Sequence, residues 1–179
     1  EAWVGVTSRE FLDEVKAVAK GIVANGVEVG ERIGVMSRTR YEWTLVDYAI
    51  WYAGAVSVPV YETSSAEQIQ WMLSDSAAVA FFLESEKNKK TFDAVSVDIP
   101  TVTRVWCFED GVIEDLKADG QHISDADLEA RRAAGFSRHC HGDLHLGNIV
   151  LENGKPMLFD CIEFNDVLSE IDVLYDLAF

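Results

Sequence analysis

Apolar runs of strand length alternate with helical patterns along residues 7–133, and this alternation narrows the available folds more than any other property of the chain. Thr7-Ser8-Arg9-Glu10 opens the first helical pattern as a capping box, in which hydroxyl and carboxylate each satisfy a free backbone N–H. Phe11, Val15, Val18, Ala19, Ile22 and Val23 then recur at helical spacing. Gly26 and Gly30 punctuate the exit. Residues 32–37, 55–60, 77–83 and 104–108 read as strands. Residues 41–53, 65–74 and 84–95 read as helices, with two weaker ones at 111–118 and 124–133. Such alternation calls for right-handed crossovers. The expected fold class is therefore α/β, a partial doubly wound and mainly parallel sheet with flanking helices.

Composition removes several functions. A net charge of −16 opposes nucleic acid and anionic membrane as partners, because phosphate backbones are bound by Lys and Arg that release counterions. No apolar run is long enough to span a bilayer, and no secretory leader opens the chain. Cys107, Cys140 and Cys161 form no CxxC pair and suit reduced thiols. A cytoplasmic location is expected.

Within residues 1–135, several stretches carry a family likeness. They are Gly26-Val27-Glu28-Val29-Gly30-Glu31-Arg32, Ser37-Arg38-Thr39-Arg40-Tyr41-Glu42-Trp43, Asp47-Tyr48-Ala49-Ile50-Trp51 and Val58-Pro59-Val60-Tyr61-Glu62-Thr63-Ser64-Ser65. Together they resemble the N-terminal part of a long-chain fatty-acid acyl-CoA synthetase, of the AMP-binding, adenylate-forming family. The resemblance implies ATP-dependent acyl activation followed by thioester formation with coenzyme A. That family's phosphate loop, ending in Pro-Lys-Gly, is not among these 179 residues. The run Tyr61–Ser65 lacks the glycines of a phosphate cradle and reads as a turn and helix cap. The tryptophans and Tyr48 read as core.

A second style of sequence begins near residue 136, where three of the four histidines gather. His141-Gly142-Asp143-Leu144-His145-Leu146-Gly147-Asn148 has the His-x-Asp-x-x-x-x-Asn form of a phosphotransferase catalytic loop. Two apolar runs flank Asn153-Gly154, a strong hairpin turn, and deliver Asp160 twelve residues after Asn148. Two oxygen ligands and nucleotide phosphates suit Mg²⁺. His139, His141 and His145 with Cys140 also offer zinc chemistry, although Gly142 and Gly147 oppose the helix that would hold the i,i+4 pair.

The wording of residues 138–179 resembles the aminoglycoside phosphotransferase family. The expected architecture there is a kinase-like catalytic loop and β-hairpin. The resemblance implies Asp143 as catalytic base and Asn148 and Asp160 as magnesium ligands, with ATP as the phosphate donor. His141 and His145, with Asp172 and Asp176, would support the loop and the following helix. A kinase of this type also needs a strand lysine, yet Lys16, Lys20, Lys87, Lys89 and Lys90 all lie on polar helix faces.

Three readings follow. The first is a chimera of a truncated ligase scaffold (1–135) and a truncated phosphotransferase segment (138–179), inactive alone and prone to self-association through exposed apolar faces. The second is an active phosphotransferase acting on a small molecule. The third is a non-catalytic α/β ligand-binding module.

Overall fold

The computed structural model describes residues 5–134, 137–139, 149–152, 155–158 and 170–172. The chain divides into two compact units, 1–135 and 136–179.

In the first unit, helix α1 (Ser8–Ala24) begins at the expected capping box. The Thr7 N–H donates to Glu10 Oε2 at 2.8 Å, and the Glu10 N–H donates to Thr7 Oγ1 at 3.3 Å. Then come β1 (Arg32–Met36), α2 (Tyr41–Tyr52), β2 (Val56–Val60), α3 (Ala66–Asp75), β3 (Ala80–Leu83), α4 (Glu86–Asp93), β4 (Arg104–Cys107), α5 (Val112–Asp119) and α6 (Asp125–Ala134). All of these elements were expected from periodicity, with ends shifted by at most three residues. The four strands form one parallel sheet in the order β2-β1-β3-β4.

Alternation along the strands decides which helix packs where. Ile33, Val35, Ala80 and Phe82 enter one core with α1, α2, α5 and α6. Met36, Phe81 and Leu83 enter a second core with Ile69 and Leu73 of α3 and Phe92 of α4. Helices therefore cover both faces. Gly34 lies between these layers, where an added Cβ would stand 2.6 Å from both Leu73 Cδ2 and Phe81 Cδ2. Only a residue without a side chain lets α3 close on β1. On α3 the same geometry corrects one expectation. Ile69 and Leu73, four apart, take the buried stripe, so Trp71 between them is 65% exposed rather than core.

Helices α1, α2 and α3 end at the amino edge of the sheet, and none has a basic residue in its last turn. Distant arginines supply the missing cations. Arg104 donates to the carbonyls of Asn25 and Gly26 after α1. Arg131 of α6 donates to Ala53 O after α2 at 3.3 Å and to Val27 O. Arg32 donates to Ser76 O after α3 at 2.6 Å and to Ala77 O at 3.4 Å. Ala77 holds a left-handed φ of 49°, where glycine is the usual occupant.

In the second unit, β6 (Ile149–Glu152) pairs antiparallel with β7 (Lys155–Leu158). Glu152 faces Lys155 across a two-residue connection, as the Asn153-Gly154 signal requires. Strand β5 (Ser137–His139) pairs antiparallel with β8 (Glu170–Asp172). Among the described residues no helix is long and apolar enough to cross a membrane.

Candidate functional site

In an open α/β sheet, ligands settle at the carboxyl ends of the strands, where the chain's direction of travel across the sheet reverses. Here β1 leads outward to β2, and the chain then returns past β1 to β3. The reversal falls between β1 and β3. The residues that leave those two strands are Ser37 and Arg38 on one side and Glu84 on the other.

Glu84 is the centre of this edge. It is buried, and its carboxylate accepts from the Arg38 N–H at 2.9 Å and from the Ser37 hydroxyl at 3.2 Å. Arg38 Nε lies 2.8 Å from Glu84 Oε1, and an Arg40 guanidinium nitrogen lies 3.7 Å from the same oxygen. A carboxylate taken out of water is tolerated when charge-assisted bonds fill its lone pairs, and these four contacts do so. Arg40 is also gripped by Glu42 through two bonds of 2.6 and 2.9 Å. The bond to Glu42 is the main reason that the Arg40 pKa is raised, and the bond to Arg40 is the main reason that the Glu42 pKa is lowered.

The other two strand ends join the same edge. Asn88, buried at the start of α4, donates to Glu62 O after β2 at 3.3 Å. The Glu109 N–H, after β4, donates to Glu84 O at 3.3 Å, and the Phe108 ring lies 6.0 Å from the Arg40 guanidinium. All four strand ends are thus tied together. The Arg38 side chain is 70% exposed, and the exposed Glu62 and Glu109 stand at the same edge. Chemically the arrangement is a preorganised polar rim with a guanidinium on its surface. Its one hydroxyl–carboxylate contact, Ser37 with Glu84, is buried and shared with two arginines.

Asp143, Asn148, Asp160, His141, His145 and Asp176 lie outside the described residues. Asp172 ends β8, where its backbone is paired with Ser137. Among the described residues no group of three acidic, histidine or cysteine side chains is placed to hold a metal ion. The run from Tyr61 to Ser65 does form a turn and cap: Ser64 N donates to Tyr61 O, and Ser65 starts α3 in a capping box with Gln68.

Two open depressions lie away from the carboxyl edge, one of about 340 Å³ between α1, α2 and α6 and one of about 300 Å³ between α1, α5 and the start of α6. Their walls are already ion-paired, Lys20 with Asp125 at 2.5 Å and Lys117 with Glu14 at 2.5 Å. The carboxyl edge is therefore the better candidate.

Sequence reasoning missed Glu84 and Arg38 as a pair. The available signal was position alone, each being among the first polar residues after an apolar strand.

Comparison with known proteins bears on the first unit. The profile of the AMP-binding enzyme family matches residues 1–137. The long-chain-fatty-acid–CoA ligase FadD15 of Mycobacterium bovis is 38% identical over 135 residues, covering 74% of this chain and 22% of the relative. The long-chain-fatty-acid–CoA ligase ACSBG2 of Xenopus laevis is 22% identical over 114 residues, or 64% of this chain and 15% of the relative. Among solved structures, a long-chain-fatty-acid–CoA ligase, FadD1, from Archaeoglobus fulgidus superposes with a TM-score of 0.60 at 22% identity, covering 68% of this chain and 25% of the other. A Mycobacterium tuberculosis fatty acyl CoA synthetase gives 0.59 at 23% identity, covering 64% and 23%. The chain spans about a fifth of the length of FadD15, as the M. bovis and M. tuberculosis proteins both show.

Proposed function

This chain belongs to the AMP-binding enzyme family, and from that premise we propose that residues 1–135 are the N-terminal scaffold of a long-chain fatty-acid–CoA ligase. In this role the unit supplies one rigid wall of a site and leaves acyl activation to residues that these 179 do not include. The observation that carries the reading is the carboxyl edge itself. Four strand ends are locked through Glu84, Asn88 and the Glu109 backbone, and the hydroxyl and carboxylate among them, Ser37 and Glu84, are buried and engaged with each other and with Arg38 and Arg40. Phosphoryl and adenylyl transfers draw their rate from positioning and electrostatics. A wall without a phosphate loop provides a part of the first only.

The parent chemistry consumes ATP, with Mg²⁺, and coenzyme A; a fatty acid is the acceptor named for the relatives. The test is direct. Purified chain supplied with ATP, Mg²⁺, palmitate and coenzyme A is expected to form no acyl-CoA above the buffer rate. Measurable turnover would sink the scaffold reading.

A second reading is favoured by one observation, the β6–β7 hairpin with its two-residue connection. It treats residues 138–179 as a phosphotransferase segment, with Asp143 as base and Asn148 and Asp160 as magnesium ligands. Magnesium-dependent ATP binding by calorimetry, abolished in Asp160→Ala and kept in Asp172→Ala, would support it. ATP binding that ignores both magnesium and Asp160 would remove it.

A further inference from the structure

The outer face of α3 carries a pattern that packing does not explain. Glu67, Trp71 and Asp75 stand at i, i+4 and i+8 and so form one strip, opposite the buried pair Ile69 and Leu73. All three are exposed. Tyr61, on the turn that leads into α3, is 81% exposed, and the exposed Glu62 follows it. Two features of this face are locally unfavourable. An indole open to water forgoes the burial through which tryptophan stabilises a fold. Asp75 sets a negative charge at the carboxyl end of a helix whose last turn holds no basic residue, where the helix dipole opposes it. Departures of this kind from local preference gather at functional surfaces.

The cations of the unit leave both acids unanswered. From Tyr41 to Glu86 the sequence has no lysine, arginine or histidine. Arg32, which reaches the end of α3 from β1, donates to the carbonyls of Ser76, Ala77 and Gly30. On α4, which packs beside α3, Lys89 and Lys90 stand 3.9 Å from Asp110 and Glu86. Among the described residues neither Glu67 nor Asp75 has an ion-pair partner. The strip is thus an aromatic ring with an uncompensated carboxylate one turn to either side. A guanidinium or ammonium group is the complement, since the ring face attracts a cation and the carboxylates accept its N–H donors. A second copy of the strip is not, because a two-fold contact would set these acids against their own images.

We propose that the Glu67–Trp71–Asp75 strip is a docking surface for a cationic segment of another protein, with an arginine or lysine head seated on the Trp71 ring between the two carboxylates. The surface belongs to the layer over the second core, on the opposite side of the sheet from α1, α2 and α5. Its contacts are open to water, so binding weakens as salt is added.

The experiment uses the whole chain, ¹⁵N-labelled, titrated at low ionic strength with an end-blocked peptide of alternating arginine and glycine. The Trp71 indole N–H signal, assigned through Trp71→Phe, is expected to shift, and Trp71→Ala should weaken binding about threefold. Glu67→Gln combined with Asp75→Asn should weaken it about fivefold. Asp13→Asn combined with Asp115→Asn removes the same charge from exposed positions on α1 and α5, across the sheet, and should change the affinity far less. Each substituted side chain is exposed, so the variants retain the fold. Equal weakening by the two double variants would reduce the effect to net charge and overturn the proposal, as would a Trp71 signal that ignores the peptide. A Trp71-dependent dimer in sedimentation would also overturn it, by assigning the face to a second copy.

Discussion

The two edges of the same sheet use arginine in opposite ways. At the amino edge, Arg32, Arg104 and Arg131 point at backbone carbonyls and complete the ends of three helices. At the carboxyl edge, Arg38 and Arg40 point at carboxylates, and the shared Glu84 is the buried member. A guanidinium on a helix end stabilises a partial charge that exists in every such helix. A guanidinium on a buried acid exists for that acid alone. The first arrangement is architecture. The second maintains a shaped, charged rim where doubly wound sheets receive ligands.

Breaking the amino edge should have the larger effect. Arg131→Ala removes charge-assisted bonds to two chain segments at once, and about 3 kcal/mol of stability should go with it, read as a shift of the urea midpoint without change in slope. If ligand binding by a longer protein containing this unit fell as well, the division between the edges would be wrong. At the carboxyl edge, Glu84→Gln keeps shape and removes charge. The loss should be smaller, about 2 kcal/mol, because Arg38 can turn to water. Its diagnostic consequence is a rise in the salt sensitivity of folding as two arginines lose a common counter-charge. A third substitution sharpens the contrast from the stabilising side. Ala77→Gly relieves the left-handed backbone after α3 and should add about 1 kcal/mol at the amino edge only.

These differences were unevenly legible in the sequence. The helices and strands of residues 7–134 were readable because each has a period: the Val15-Val18-Ala19-Ile22 spacing of α1, the continuous apolar Ala80–Leu83 of β3, and the hydroxyl caps at Thr7 and Ser65. The capping of helix ends by remote arginines had no local sign. Arg32 and Ser76 are 44 residues apart, and Arg131 and Val27 are 104 apart. Glu84 looked like the start of a polar helix because the residues that fill its lone pairs lie 46 and 47 positions earlier. Trp71 shows the reverse failure. Its chemistry suggested core, but the stripe of Ile69 and Leu73 left it on the outside of α3.

Those separations also impose a timetable on synthesis. Arg104 and Arg131 stand 79 and 104 residues after the carbonyls near the end of α1 that they complete. At about 5–20 residues per second, a ribosome takes roughly 4–20 s to cover such a gap. For that interval α1 leaves the exit tunnel with its last turn unanswered, and its packing partner α5 does not yet exist. Within this unit the first helix is the first made and among the last finished, which makes it the stretch of the unit on which a chaperone has longest to act.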